Sequence, residues 1–244
     1  MKTFRDWSKE NKHHFAKDSL QSVPSSKETI SAMHSEKLPK DNDVYRGVTE
    51  YQKSSEGINR QMRHGKELTG VEQKAKNAFQ QVIGRNSDKF GAATSQSGRV
   101  FHGQSYAPTI DGNGHIRTQD FTSWSTNPSD AARFSKSDAD HDAHHIFVMN
   151  HEHDNDVGHR LFSTVPKNHS HATLRSEQEL VSGPAKYAFT KTKLEHPHPD
   201  TGKTIYEYHV KPIEMHPLWK ANASGALNPS ERSKMSNWSK NEKL

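Results

Sequence analysis

Between residues 57 and 85 the apolar positions Leu68, Val71, Ala75, Ala78, Phe79 and Val82 recur every three or four residues. That period gathers them on one helix face and predicts helices packed beside a core. Beyond Asp120 the pattern changes to short β-type runs at 121–125, 145–150, 160–165, 177–181, 187–192 and 205–212. Between the first two runs, 128–134 reads as a short helix, with Asn127 as its cap and Pro128 in its first position. Upstream, Val44 and Val48 bracket Arg46 in a segment that reads as a first strand, and 91–114 reads as loop with short strand pieces at Val100-Phe101. Helices before a mostly antiparallel sheet define an α+β domain.

Composition narrows how much of the chain that domain occupies. Only 30% of the 244 residues are apolar and the mean hydropathy is −1.06, so the core comes from a few segments. The reading is a polar, Lys- and Ser-rich helical arm over 1–42, one domain over 43–215 and a polar tail over 216–244. The formal charge of +5 and a pI near 9.2 favour acidic partners, nucleic acid included. Cysteine is absent, which excludes disulfides and thiolate chemistry and fits a reducing cytoplasm. The charged start at Met1-Lys2-Thr3-Phe4-Arg5-Asp6 and the lack of any run near ~18 apolar residues point away from a secretory signal or a membrane anchor.

Three short motifs carry the chemistry. In Glu177-Gln178-Glu179 the two carboxylates lie two residues apart on a strand, so both face one side. One can stabilise an oxocarbenium-like transition state at a sugar carbon while the other prepares a nucleophile. In Phe121-Thr122-Ser123-Trp124-Ser125 the hydroxyls of Ser123 and Ser125 share a face, with Thr122 and Trp124 pointing away, and Ser123 is suited to brace Glu179. Tyr45-Arg46-Gly47 offers a guanidinium for phosphate oxygens beside a residue whose backbone a ligand can approach. Phe134, in Ala131-Ala132-Arg133-Phe134, is placed to cover a planar ring near the same cleft. Each motif has an ordinary structural reading; their order along the chain sets them apart.

In that order, over roughly residues 43 to 212, the chain resembles the Arg-Ser-Glu class of mono-ADP-ribosyltransferases, which includes clostridial binary-toxin enzymes and small bacteriophage transferases. The resemblance implies an ADP-ribosyltransferase-like β-sandwich core with preceding helices, and NAD as the substrate, with no metal. It implies that Arg46 binds an NAD phosphate and ribose, with the Gly47 backbone on the nicotinamide amide. Ser123 then orients Glu179, Ser125 and Phe134 line the NAD site, Glu179 stabilises the ribosyl cation and Glu177 prepares the acceptor. Glutamate at the first position of the pair goes with arginine acceptors in that family, which implies a protein partner with an exposed arginine. By the same resemblance the target belongs to host transcription or translation machinery, met in the host cytoplasm by a phage-encoded or virion enzyme. The stretch 167–176, with His169, His171 and Arg175, corresponds to the loop that reads the target.

Two competing readings remain beside it. The chain has 18 histidines, grouped at His141, His144, His145 and at His151, His153 with Glu152, Asp154 and Asp156. Such groups bind zinc or nickel in other settings, but no fixed ligand set such as His-Glu-x-x-His occurs and they are read as solvated loop residues. The second alternative is a nonenzymatic nucleic-acid-associated protein whose Lys-rich arms do the binding. NAD glycohydrolysis, or transfer of NAD-capped RNA, is a nearer variant of the enzyme.

Overall fold

The structure is a computed structural model that describes residues 43–68, 70–85, 98–126, 130–131, 134–135, 143–152, 155–164, 179–190, 194–197, 203–219 and 229–230. Among the described residues two helices come first: α1 (Asp43–Arg63) and α2 (Gly70–Phe79), the latter continued by a π-helical turn at Gln80–Arg85. Nine strands follow among the described residues: β1 (Gly98–Gln104), β2 (Ile116–Arg117), β3 (Thr122–Ser125), β4 (Ala143–His151), β5 (Phe162–Ser163), β6 (Glu179–Ser182), β7 (Ala185–Phe189), β8 (Leu194–Pro197) and β9 (Thr204–Met215). The α+β class expected from the pattern is the class observed.

The strands form one hydrogen-bonded sheet in the order β2-β7-β9-β4-β1-β3-β6-β5, with β8 on β9. Every pairing is antiparallel except β4 with β9. The expected sandwich takes the form of two strand groups, because β1 and β3 pair only at Phe101 and Ser125 whereas β1 and β4 pair along seven positions. Residues of both strands at this junction line the cleft described below.

Residues 44–48 are helix, not the expected first strand. Val48, Tyr51 and Ile58 follow a helical period and are fully buried, and two valines four apart suit a helix as well as a strand. Gly47 serves the contact between α1 and α2. A Cβ there would lie 2.2 Å from Ala78 Cβ, so any larger residue would push the helices apart. Arg46 points outward, is exposed, and pairs with Asp43 at 3.7 Å. α1 is kinked at Ser54, which has φ −136° and ψ 20°. Val71, expected on the apolar face of α2, is 49% exposed.

An aromatic cluster ties the helices to the sheet. The Tyr51 ring lies 4.8 Å from Phe79 and 5.2 Å from Phe121, both edge-on, and Phe79 reaches Phe162 at 5.7 Å. Phe121 in turn meets Trp219 edge-on at 5.0 Å. Such edge-to-face pairs add to the burial of the rings themselves. The 3₁₀ turn Pro217–Trp219, in the region read as polar tail, joins this cluster, with Pro217 and Trp219 buried.

Several histidines read as solvated are core residues. His144, His145 and His151 lie on β4 and are at most 4% exposed. β4 has neighbours on both sides, and these three histidines are buried with it. His145 meets the Tyr208 hydroxyl at 3.0 Å and His144 Nδ1 the Ser135 carbonyl at 2.6 Å. His141, His153 and Asp154 lie outside the described residues. Among the described residues no group of three His, Cys, Asp or Glu side chains is placed to hold a metal, and no helix is long and apolar enough to cross a membrane.

Candidate active site

Glu179 opens β6, between β3 and β5, and its carboxylate is held from both sides. Ser123 Oγ on β3 donates to Oε1 at 2.8 Å, and Thr164 Oγ1, one residue past β5, donates to Oε2 at 2.5 Å. Tyr51 on α1 extends the network, its hydroxyl 3.3 Å from Ser123 Oγ and within 3.5 Å of Asn59 Nδ2. With Ser123 donating to the carboxylate, the directions fall into one chain: Asn59 donates to Tyr51, Tyr51 to Ser123, and Ser123 to Glu179. Burial, then the Glu179 charge, raises the Tyr51 pKa far above the ordinary phenol value, so the hydroxyl stays a proton donor at all working pH.

A cleft of about 540 Å³ opens over this network. α1 supplies one wall through Tyr51, Gln52, Ser55, Glu56, Asn59 and Arg63. β1 and β3 supply the other, and Phe134 stands at the rim, 55% exposed. An aromatic ring this exposed beside a cleft presents a surface to a planar ligand. The volume lies in the range of small-molecule and cofactor sites.

Of the residues singled out from the sequence, the structure brings Ser123, Ser125, Phe134 and Glu179 together at this cleft. Ser125 faces the same side as Ser123 but lies 3.5 Å from Asp130 Oδ2, so it seats the helical segment that bears Phe134. Thr122 and Trp124 are buried on the opposite face, as the alternation requires. Trp124 Nε1 donates to Ser182 Oγ at 3.0 Å. Arg46 and Gly47 do not line the cleft. Glu177, Lys167, His169, His171 and Arg175 lie outside the described residues.

Phe101-His102-Gly103 on β1 occupies the place expected of the Tyr45-Arg46-Gly47 motif. It has the same aromatic, basic, glycine order, with an imidazole in place of the guanidinium. Its glycine is required: a Cβ on Gly103 would lie 1.7 Å from the Ala131 carbonyl oxygen. His102 Nδ1 donates to the Ser123 carbonyl at 2.8 Å, and Nε2 lies 3.2 Å from Gln104 Oε1, whose amide nitrogen donates to the Tyr106 carbonyl. Burial lowers the His102 pKa, while these two acceptors oppose it by favouring protons on both nitrogens. Arg63, whose guanidinium also lines the cleft, donates to Asp120. Burial outweighs the opposing guanidinium charge and pushes the Asp120 pKa up to about 6.

Glycine after an aromatic-basic pair on a β-type run was the signal that could have found His102. For Thr164 and Tyr51 the sequence carries no comparable mark, since their roles depend on pairing between distant segments.

No protein-family model matches the chain, and no curated protein matches it. Among solved structures it is similar to exoenzyme S from Pseudomonas aeruginosa, crystallised with human 14-3-3 protein beta and carba-NAD. That match has 13% identity and a TM-score of 0.45, covering 83% of this chain and 88% of the other. It is also similar to the C3 exoenzyme of Clostridium limosum, with 10% identity, a TM-score of 0.43, and 81% and 99% of the two chains covered. A third is Plx2a, an ADP-ribosyltransferase toxin from Paenibacillus larvae, with 9% identity, a TM-score of 0.42, and 86% and 95% covered. At such identities and scores the ground for a functional reading is the geometry of the site itself.

Proposed function

We propose that the protein is a mono-ADP-ribosyltransferase that moves ADP-ribose from NAD to an arginine side chain of a target protein. The observation that carries this reading is the Glu179 carboxylate, fixed at 2.8 Å by Ser123 in a cleft with an exposed aromatic ring at its rim. A carboxylate held in place by hydroxyl donors suits the stabilisation of positive charge that develops at a ribosyl carbon.

In this reading Phe134 covers the nicotinamide and the backbone beside Gly103 lies against its amide. The bond from the ribose carbon to the pyridinium nitrogen breaks, and its electron pair returns to the ring, so neutral nicotinamide leaves. Glu179 stabilises the cationic sugar that remains. An arginine nitrogen bonds to that carbon and gives up a proton, a step in which Glu177 is the proposed base. Arg63, the guanidinium lining the cleft among the described residues, is proposed for the pyrophosphate in place of Arg46, while His102 ties β1 to β3 through the Ser123 carbonyl.

Two substitutions separate this assignment from the one drawn on sequence alone. Arg63→Ala is expected to lower kcat/KM for NAD by roughly 10- to 100-fold, the loss of one charged hydrogen bond to a phosphate. Arg46→Ala, on an exposed helix position, is expected to leave it within about twofold. Steady-state nicotinamide release measures both, and the reverse pattern would return the phosphate to Arg46.

The acceptor is tested by incubating the protein with labelled NAD and a bacterial lysate. Transferred label should be released by an arginine-linkage hydrolase and should appear on arginine by mass spectrometry. Label on another residue type would overturn the arginine assignment, and nicotinamide release without protein labelling would favour a glycohydrolase.

A further inference from the structure

We infer that Thr164 is a positioning residue for the Glu179 carboxylate, forming with Ser123 a clamp that holds one carboxylate oxygen from each side of β6. The inference rests on the proposed role of Glu179. Its ground is the register of the sheet. β5 pairs with β6 at Phe162 with Val181 and at Ser163 with Leu180, so the next position along sets Thr164 opposite Glu179. The Thr164 N–H donates to the Glu179 carbonyl at 3.3 Å, which continues the ladder by that step. Residues directly opposite have Cβ atoms close enough for short side chains to meet, and here the Thr164 hydroxyl reaches Oε2 at 2.5 Å.

Ser123 reaches the other oxygen from the opposite neighbour. It stands opposite Val181, two residues from Glu179, and crosses diagonally to Oε1. With one donor on each oxygen the carboxylate has lost its freedom to rotate. A single serine would fix one oxygen and leave the plane of the group adjustable.

Thr164 is itself held. It is fully buried, and its carbonyl accepts from Gln52 Nε2 of α1 at 2.5 Å. α1 therefore contacts both arms of the clamp, through Tyr51 to Ser123 and through Gln52 to Thr164. Gln52 and Tyr51 both line the cleft. A ligand seated against α1 would bear on the helix that fixes both hydroxyls.

Three variants test the clamp by nicotinamide release from NAD. Thr164→Val keeps the shape and removes the hydroxyl; kcat should fall roughly 10- to 100-fold, the cost of one hydrogen bond to a charged group, with KM for NAD within about threefold. Thr164→Ser restores the donor and should recover most of kcat. In a Glu179→Gln background, Thr164→Val should produce little further loss, because both changes act on one group. If Thr164→Val fails to fold, Thr164→Ala against Thr164→Ser makes the same comparison. An unimpaired Thr164→Val enzyme beside an inactive Glu179→Gln enzyme would overturn the clamp alone, as would a serine variant as poor as the valine one. An active Glu179→Gln enzyme, or a wild type that releases no nicotinamide, would overturn the site reading and the clamp together.

Discussion

Glu179→Gln is expected to lower the rate of nicotinamide release by roughly 10²- to 10³-fold or more, the range found when a preorganised transition-state stabiliser is lost. The change keeps the side chain's size and one oxygen that accepts a hydrogen bond, so Ser123 or Thr164 retains a partner. It removes the negative charge that faces the developing cation. The effect belongs in kcat, since the proposed role of Glu179 is toward the transition state, and the contacts proposed for the nicotinamide ring and pyrophosphate lie elsewhere in the cleft. Urea unfolding should show stability within about 1 kcal/mol of wild type, because Glu179 is only half-buried and the substitution creates no cavity. A variant with normal kcat would remove Glu179 from the chemistry. One with a collapsed unfolding midpoint would show the residue to be structural.

The largest expected effect on stability lies at Trp219. Its ring is 2% exposed, meets Phe121 edge-on at 5.0 Å, and fills the space above Gly183, where a Cβ would come within 2.8 Å of the indole. Neither neighbour can move in to fill the gap. Trp219→Ala should therefore cost about 3–5 kcal/mol, the range for deleting a large buried aromatic, out of the roughly 5–15 kcal/mol that holds a typical domain together. Denaturant unfolding followed by far-ultraviolet circular dichroism measures it. A loss below about 1 kcal/mol would mean that the segment around residue 219 is not part of the core.

How much of this was readable in the sequence depended on how local each signal was. Ser123, Ser125 and Glu179 were legible because alternation on a strand assigns residues to a face without any knowledge of partners, and the structure places the three on one face. Residues 44–48 were misread because two valines four apart fit either a strand edge or a helix face. The deciding residues, Tyr51 and Ile58, lay outside so short a window. The motif Tyr45-Arg46-Gly47 then drew a ligand-binding meaning from a glycine that serves helix packing against Ala78. The strand that does border the cleft, Gly98–Gln104, was reduced to fragments by the glycines and serines around it. The buried histidines of β4 were misjudged for a related reason: polarity alone signals exposure, and their partners Tyr208 and Ser135 come from other parts of the chain. Thr164 became visible only with the β5–β6 register.

The central claim is that the cleft between α1 and the β1–β3 junction cleaves NAD through Glu179. The most direct measurement is nicotinamide release from NAD by the purified protein, followed chromatographically, for wild type beside a folded Glu179→Gln variant. Release by the wild type, and its near-complete loss in the variant, is the predicted result. Equal rates in the two proteins, or no release by a folded wild type in the presence of protein acceptors, would contradict it.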